Sequence, residues 1–381
     1  MKRIPQNAVE LKAKLLCEGL NVDPESDMLF EKQNPYKIKR GGLSSGGKME
    51  LDGGIFVNAP IYRMRTTDLR AVCTGGGRIA ILQGGLLLSG ARVLPAPAWY
   101  GKTAQGFPIT QILTAHNRQL TGSVYEWCAL FPRGDQCKFC VINRSLPNKN
   151  PRLIRKSPEL IIAALEQIPT ERYGGLTLNG GMTVTPGRGM EVMVPVVEAV
   201  SKRFPGLPIA IEITPPDDLG WIDRLADAGA ASLMMNLECW DPAVRRATIP
   251  GKDGLCPREL YLRAFDRAVA RLGSGRVSSC FVVGVEPAAS LKQGLDEVVR
   301  RGVIPSPLAG RTFEDVPDYP FSAQADWIEF LDVLRYAANR MREQGIRSTD
   351  RAGCVACRMC DLIGDANANG LFINTACSST Q

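Results

Sequence analysis

From Ser123 to Arg301, short apolar runs alternate with helical stretches, and this alternation limits the possible folds more than any other feature of the chain. The runs are Ser123–Leu130, Gly175–Asn179, Pro208–Thr214, Ala231–Glu238, Val277–Val283 and Val303–Ile304. Helical patterns occupy Pro158–Gln167, Met190–Arg203, Gly220–Ala228, Pro257–Arg271 and Ala288–Arg301. A sixth, over Gln324–Gln344, gathers Ile328, Leu331, Leu334, Ala337 and Ala338 on one face. Consecutive β-α units whose strands are apolar enough to be buried on both faces predict an α/β fold with a parallel sheet or partial (β/α)6 barrel over residues 116–345. Upstream, residues 1–115 read as a helix over 8–20 followed by a β-rich domain. In that domain, from about Gly41 to Gly106, Gly-rich turns separate short β-like runs. Gly75-Gly76-Gly77-Arg78 lacks a following Lys-Ser/Thr and a helix, so a hairpin turn fits it better than a phosphate loop. Residues 346–381 form a short Cys-rich extension.

Composition narrows the chemistry. The net charge of +7 is spread along the chain without a dense basic run, which favours a small anionic ligand over nucleic acid. No apolar stretch is long enough to span a membrane, and the N-terminus shows no signal peptide, so a cytoplasmic protein is expected. Twelve cysteines in such a chain point to metal binding rather than disulfides. With His116 as the sole histidine, His-rich zinc sites and His-dependent nucleophiles are disfavoured. His116 itself reads as structural, with a role at the barrel mouth as the minority alternative.

Three cysteines, Cys128, Cys137 and Cys140, follow the first predicted strand, where the βα loops of a barrel converge. Two residues separate Cys137 from Cys140, which lets both sulfurs face one centre. Pro132 and Gly134 help the eight-residue loop from Cys128 to bend back. Three thiolates can hold three irons of a four-iron cluster and leave the fourth open; a zinc site with a distant fourth ligand is the rival reading. Downstream, Cys354, Cys357 and Cys360, with Cys377 as a fourth candidate, repeat a ferredoxin-like Cys-x2-Cys-x2-Cys spacing that also admits zinc. Cys17, Cys73, Cys239, Cys256 and Cys280 read as packing residues.

The triplet ending in Cys-x-aromatic-Cys resembles the radical S-adenosylmethionine (SAM) superfamily, although the eight-residue first spacing departs from that family's commonest one. The resemblance runs from about Ser123 to Gly310 and continues through strand ends. Asn179-Gly180-Gly181 resembles the family's Gly-Gly-Glu motif, with Met182 in place of the acid. Asn236-Leu237-Glu238 resembles a segment of biotin synthase-like and lipoyl synthase-like members. Val283-Gly284-Val285-Glu286 resembles the Gly-x-Ile-x-Gly-x-x-Glu element, with Ser279 at its first glycine. Ile304–Gly310 resembles a proline-rich loop after the sixth strand. Over its full length the chain is most similar to radical SAM proteins associated with nitrilase gene clusters.

The resemblance implies a radical SAM barrel with a [4Fe-4S] cluster on Cys128, Cys137 and Cys140. SAM would be held by Phe139, Asn179, Gly180, Gly181, Glu212, Asn236, Glu238, Val283, Gly284 and Glu286. Glu212 is a lone carboxylate in an apolar strand, for which a solvent-facing position is an even alternative. The implied reaction is reductive cleavage of SAM to a 5′-deoxyadenosyl radical that takes hydrogen from a small-molecule substrate. A second [4Fe-4S] cluster on the C-terminal cysteines and a flavodoxin- or ferredoxin-type electron donor complete the set. A zinc barrel enzyme and a non-catalytic iron–sulfur scaffold or electron carrier are the alternatives.

Overall fold

A computed structural model describes residues 3–33, 46–63, 67–140, 142–145, 150–311, 325–348 and 353–368. Two seven-stranded sheets organise the chain. The first contains β1 (Leu20–Val22), β2 (Gly47–Leu51), β3 (Ile55–Ala59), β4 (Ile61–Tyr62), β5 (Leu69–Gly75), β6 (Arg78–Gln83) and β7 (Leu86–Val93). Their spatial order is β3-β2-β7-β6-β5-β1-β4. The expected Gly75–Gly77 hairpin is present between β5 and β6, with all three glycines at positive φ. β1 was not legible in the sequence, where the first helix was expected to run on to residue 20. That helix is Ala8–Glu18, and Gly19 ends it at φ +71 because a Cβ there would stand 2.2 Å from the Tyr62 ring.

A short hairpin of β8 (Thr103–Ala104) and β9 (Phe107–Pro108) leads to the second sheet. This sheet holds β10 (Thr114–His116), β11 (Gln119–Tyr125), β12 (Gly175–Gly180), β13 (Ile209–Glu212), β14 (Ala230–Met234), β15 (Val277–Val283) and β16 (Ile304–Ala309). They lie side by side in chain order, all parallel except the antiparallel β10–β11 pair. Among the described residues β10 and β16 are the two edges, so the sheet is an open half-barrel.

The two faces of the half-barrel differ in kind. On one, Leu176, Leu178, Ile209, Ile211 and Leu233 are buried, and helices such as Met190–Arg203 and Arg258–Leu272 pack against the sheet. Burying each such side chain contributes about 1.5–3 kcal/mol. On the inner face, Thr121, Thr177, Ala210 and Ser232 stand in register across four strands. Ser123, Asn179 and Glu212 form the next layer. The strands are therefore buried on both sides as expected, but only one side is apolar.

Three strand ends move relative to expectation. The first parallel strand stops at Tyr125 instead of Leu130, where the register slips and the chain turns to bond Ile154. The fourth stops at Met234 instead of Glu238, because the Asn236 side chain takes the Cys280 N–H and reaches Glu212; Glu238, at φ +69, rejoins β15 only as a single bridge to Phe281. The expected proline-rich loop at Ile304–Gly310 is largely strand β16 itself. Pro305 and Pro307 alternate with residues that keep their N–H groups, a pattern that an edge strand tolerates.

Candidate active site

The three upstream cysteines sit beyond the C-terminal end of β11. Gly181 makes their placement possible: a Cβ there would lie 2.0 Å from the Trp127 carbonyl oxygen and 2.9 Å from the Cys128 nitrogen. The glycine pair was expected to admit a ligand, and in the structure Gly181 admits the backbone that carries Cys128. Gly181 N–H donates to the Tyr125 carbonyl at 2.8 Å, and Ala129 N–H to the Met182 carbonyl at 3.0 Å. Asn143, which the sequence reading missed, closes the loop. Its Oδ1 accepts from Cys128 N–H at 2.9 Å, folding the chain after Cys140 back onto Cys128. Cys140 N–H donates to the Cys137 carbonyl at 3.0 Å, so the two cysteines occupy one tight turn.

The far side of this loop rests on two short helices, Pro242–Thr248 and Pro250–Leu255, which lie between β14 and the helix Arg258–Leu272. The sequence reading passed over them. Their signals are the Asp241-Pro242 start, where Asp241 accepts from Ala243 and Val244 N–H, and a second proline at Pro250.

Charge ties the groups together. Burial pushes the Cys137 thiol far up, the Lys252 ammonium pulls against that, and Cys140, Glu238 and Cys128 add to the rise. Burial pushes Cys140 up to about 11, with Cys128 and Lys252 again among its neighbours. A single tetrahedral ion draws its thiolates to within about 4 Å of one another. Among the described residues no group of three or more Cys, His, Asp or Glu side chains could hold such an ion. Cys128 and Cys140 are among the charged neighbours of Cys137.

Beside them, the turn after β14 is heavily restrained. Asn236 Nδ2 donates to Glu212 Oε1 at 2.8 Å, while Asn236 Oδ1 accepts from Cys280 N–H at 3.1 Å. Burial raises the Glu212 carboxyl above its ordinary range, against the stabilising Asn236 bond. Glu212 lies on the inner face, partly exposed and bonded to Asn236. Asn179 accepts from Ser123 Oγ at 2.5 Å on the same face.

Two carboxylates that the resemblance assigns to the cofactor have protein partners. Glu238 pairs with Lys252 at 2.8 Å, both nearly buried. Glu286 accepts from Trp240 N–H, Asp241 N–H and Ser290 Oγ at 2.7–2.8 Å, which ties the turn after β15 to the turn after β14. Gly284, at φ +95, lets the backbone of Ala325 approach: a Cβ there would stand 3.0 Å from the Ala325 Cα. Val283 is buried and pairs with Ala309, and its carbonyl accepts from Gly310 N–H. Phe139 is half-buried within the cysteine turn.

The second cysteine set enters the half-barrel from the opposite end. Gly353 lies against Ala210 and Thr177, 3.0 and 3.7 Å from where its Cβ would be, and the helical turn Cys354–Cys357 follows. Cys357 Sγ donates to the His116 carbonyl at 3.5 Å, and Asn58 Nδ2 donates to Cys360 Sγ at 3.5 Å. Lys12 fastens the segment: its Nζ donates to the carbonyls of Arg358 (2.5 Å) and Asp361 (2.8 Å) and to Asp365 Oδ2 (2.5 Å). Burial drives Cys354 well up, and Glu212 is the next influence on it. Burial also pushes Cys357 up to about 12, with Cys360 adding to the rise. Cys377 lies outside the described residues. Of the cysteines read as packing residues, Cys17, Cys239, Cys256 and Cys280 are buried and Cys73 is partly exposed. Thr177, touching the lower set, and Gly181, touching the upper, are four residues apart, or roughly 13 Å of strand.

No protein-family model matches the chain. A bacteriochlorophyllide c C-7(1)-hydroxylase from Chlorobaculum limnaeum is 26% identical to it over 353 residues, covering 85% of this chain and 83% of the relative. The likeness spans most of both chains, and this chain is an enzyme. Among solved structures, a Pyrococcus furiosus chitinase domain is similar at TM-score 0.33 and 13% identity, over 51% of this chain and 69% of that one. A Yersinia pestis DHPS is similar at TM-score 0.27 and 13% identity, over 67% and 95%. Likenesses that low carry no argument. No helix among the described residues is long and apolar enough to cross a membrane.

Proposed function

We propose that this enzyme belongs to the radical SAM type and acts on a C–H bond of a small molecule held on the inner face of the half-barrel. The observation that carries the reading is the placement of three cysteines in one loop at the β11 end of a polar face, a loop wedged against Gly181 and closed by Asn143. When bound, a [4Fe-4S] cluster and SAM supply an electron and a 5′-deoxyadenosyl radical able to abstract hydrogen.

The chain's own residues then hold and orient. Asn179 and Gly180 end β12 just before Gly181, and on this reading they would receive the SAM amino group. Asn236 fixes Glu212, so that carboxyl points a hydrogen-bonding group along the face where a substrate would lie. Glu238 and Glu286 act one step back, by shaping the turns. The hydroxylation named for the Chlorobaculum relative replaces a C–H bond, which fits this class of chemistry. The likeness to nitrilase-associated proteins belongs to the same proposal and names no substrate.

We assign Cys354, Cys357 and Cys360 to a second iron–sulfur centre, supported by their placement against the same face and by the Asn58 bond to Cys360. The reductant would be of the flavodoxin or ferredoxin kind.

Anaerobic reconstitution followed by dithionite and SAM tests the reading. Iron and sulfide should bind, and 5′-deoxyadenosine and methionine should form. A chain that holds iron and sulfide but forms no 5′-deoxyadenosine would overturn it.

A further inference from the structure

One corner of the chain joins the cysteine loop to the turn after β14. Lys138 N–H donates to the Thr248 carbonyl at 2.8 Å, and Gly251 N–H donates to the Asp135 carbonyl at 3.0 Å. The fit is close, since a Cβ on Gly251 would stand 2.7 Å from atoms of both Asp135 and Leu130. The next residue, Lys252, is buried. Its Nζ donates to the Asn236 carbonyl at 2.7 Å and to Glu238 Oε1 at 2.8 Å.

Glu238 is held at φ +69 to meet it, a conformation that persists only where the surroundings enforce it. The enforcement is visible. Glu238 N–H donates to the Cys280 carbonyl at 2.9 Å, Val282 N–H donates to the Glu238 carbonyl at 2.8 Å, and the buried Arg245 donates to the Leu237 carbonyl at 2.8 Å. A buried ion pair is often no more stabilising than apolar side chains of the same size. Stability alone therefore does not account for a lysine here. Its position does, because the Thr248 and Gly251 contacts lock the turn that carries it against the Asp135–Lys138 stretch between Cys128 and Cys140, with Glu238 as its partner of opposite charge.

We propose that Lys252 is a positioning residue that sets the reduction potential of the metal centre at Cys128, Cys137 and Cys140, with Glu238 as its partial counterweight. The inference rests on the iron–sulfur reading above. An added electron makes the centre more negative, and a fixed ammonium in a water-poor setting favours that state. The carboxylate of Glu238 trims the effect and keeps the lysine in place.

The test compares K252Q, K252R and E238Q with the parent as full chains reconstituted anaerobically. Iron and sulfide per chain are counted, and the centre whose EPR signal changes on SAM addition is titrated potentiometrically. K252Q is expected to lower the potential, E238Q to raise it, and K252R to leave it near the parent. A structural role would shift both charge-removing variants the same way, or neither, and either result overturns the proposal. If K252Q does not hold iron, E238Q decides: a potential equal to or below the parent's overturns it. A parent chain that holds no iron defeats the cluster reading itself and this inference with it.

Discussion

The two cysteine sets approach the same inner face from opposite ends and are held by opposite means. The upper set rides on a loop fixed by backbone bonds to the strand ends, by Asn143 and by the Gly251 corner. The lower set touches the half-barrel at His116 and Gly353 but is also held from outside it, by Lys12 of the first helix and Asn58 of β3. The contacts of the upper set named here lie within the half-barrel, whereas the lower set also draws on the N-terminal sheet and helix. That asymmetry gives the N-terminal part a physical task, closing one end of the half-barrel around the C-terminal segment.

The largest expected effect separates the ends outright. Cys128→Ala should abolish 5′-deoxyadenosine formation while roughly half the iron remains; loss of all iron would mean that the ends are not independent. Next, Lys12→Met removes a buried cation with three acceptors. It should cost about 3–5 kcal/mol in thermal or denaturant unfolding and raise alkylation of Cys354 and Cys357, leaving Cys137 as protected as before. Equal exposure of both sets would break the comparison.

Gly181→Ala works at the other end. It should cost about 1–3 kcal/mol and lower iron retention at the upper centre only, read from iron counts against the Cys128→Ala chain. The smallest effect concerns pH. Burial would raise the Glu191 carboxyl, but bonds from Thr185, its own backbone, Thr183 and Gly189 hold it below its ordinary value. Its stabilising contribution to the loop after β12 is then complete above the unfolded value, about 4.3, and is lost as pH falls through the lower folded value. Hydrogen exchange of the Thr183–Gly189 amides, corrected for the intrinsic rate, should quicken there, and in Glu191→Gln it should be faster than the parent's at neutral pH and no longer change through this range.

Much of the half-barrel was legible because its signals are local. The apolar runs at Gly175–Asn179 and Val277–Val283 and the helix at Met190–Arg203 appear almost where periodicity placed them. Strand ends were less legible. Whether a strand stops at Met234 or Glu238 depends on Asn236 reaching across to Cys280 and Glu212, contacts with no trace in local pattern. The short helices around Pro242 and Pro250 had proline start signals, but they sit between two stronger elements and were absorbed into a loop. The site divides in the same way. Cys128, Cys137 and Cys140 stood out by spacing, whereas Lys252 and Asn143 are ordinary residues in sequence and become notable only through their partners.

By itself the sequence determined the order of the main strands and helices of the half-barrel, the two cysteine groups and the Gly75–Gly77 turn, since each follows from propensity, periodicity or spacing within a short window. Only the tertiary structure decided that both cysteine groups address one polar face, that Glu238 and Glu286 bond the protein, and that the turn carrying Lys252 packs against the upper cysteine loop. Those are contacts between residues far apart in the chain, and the burial that makes them matter exists only once the sheets have closed over them.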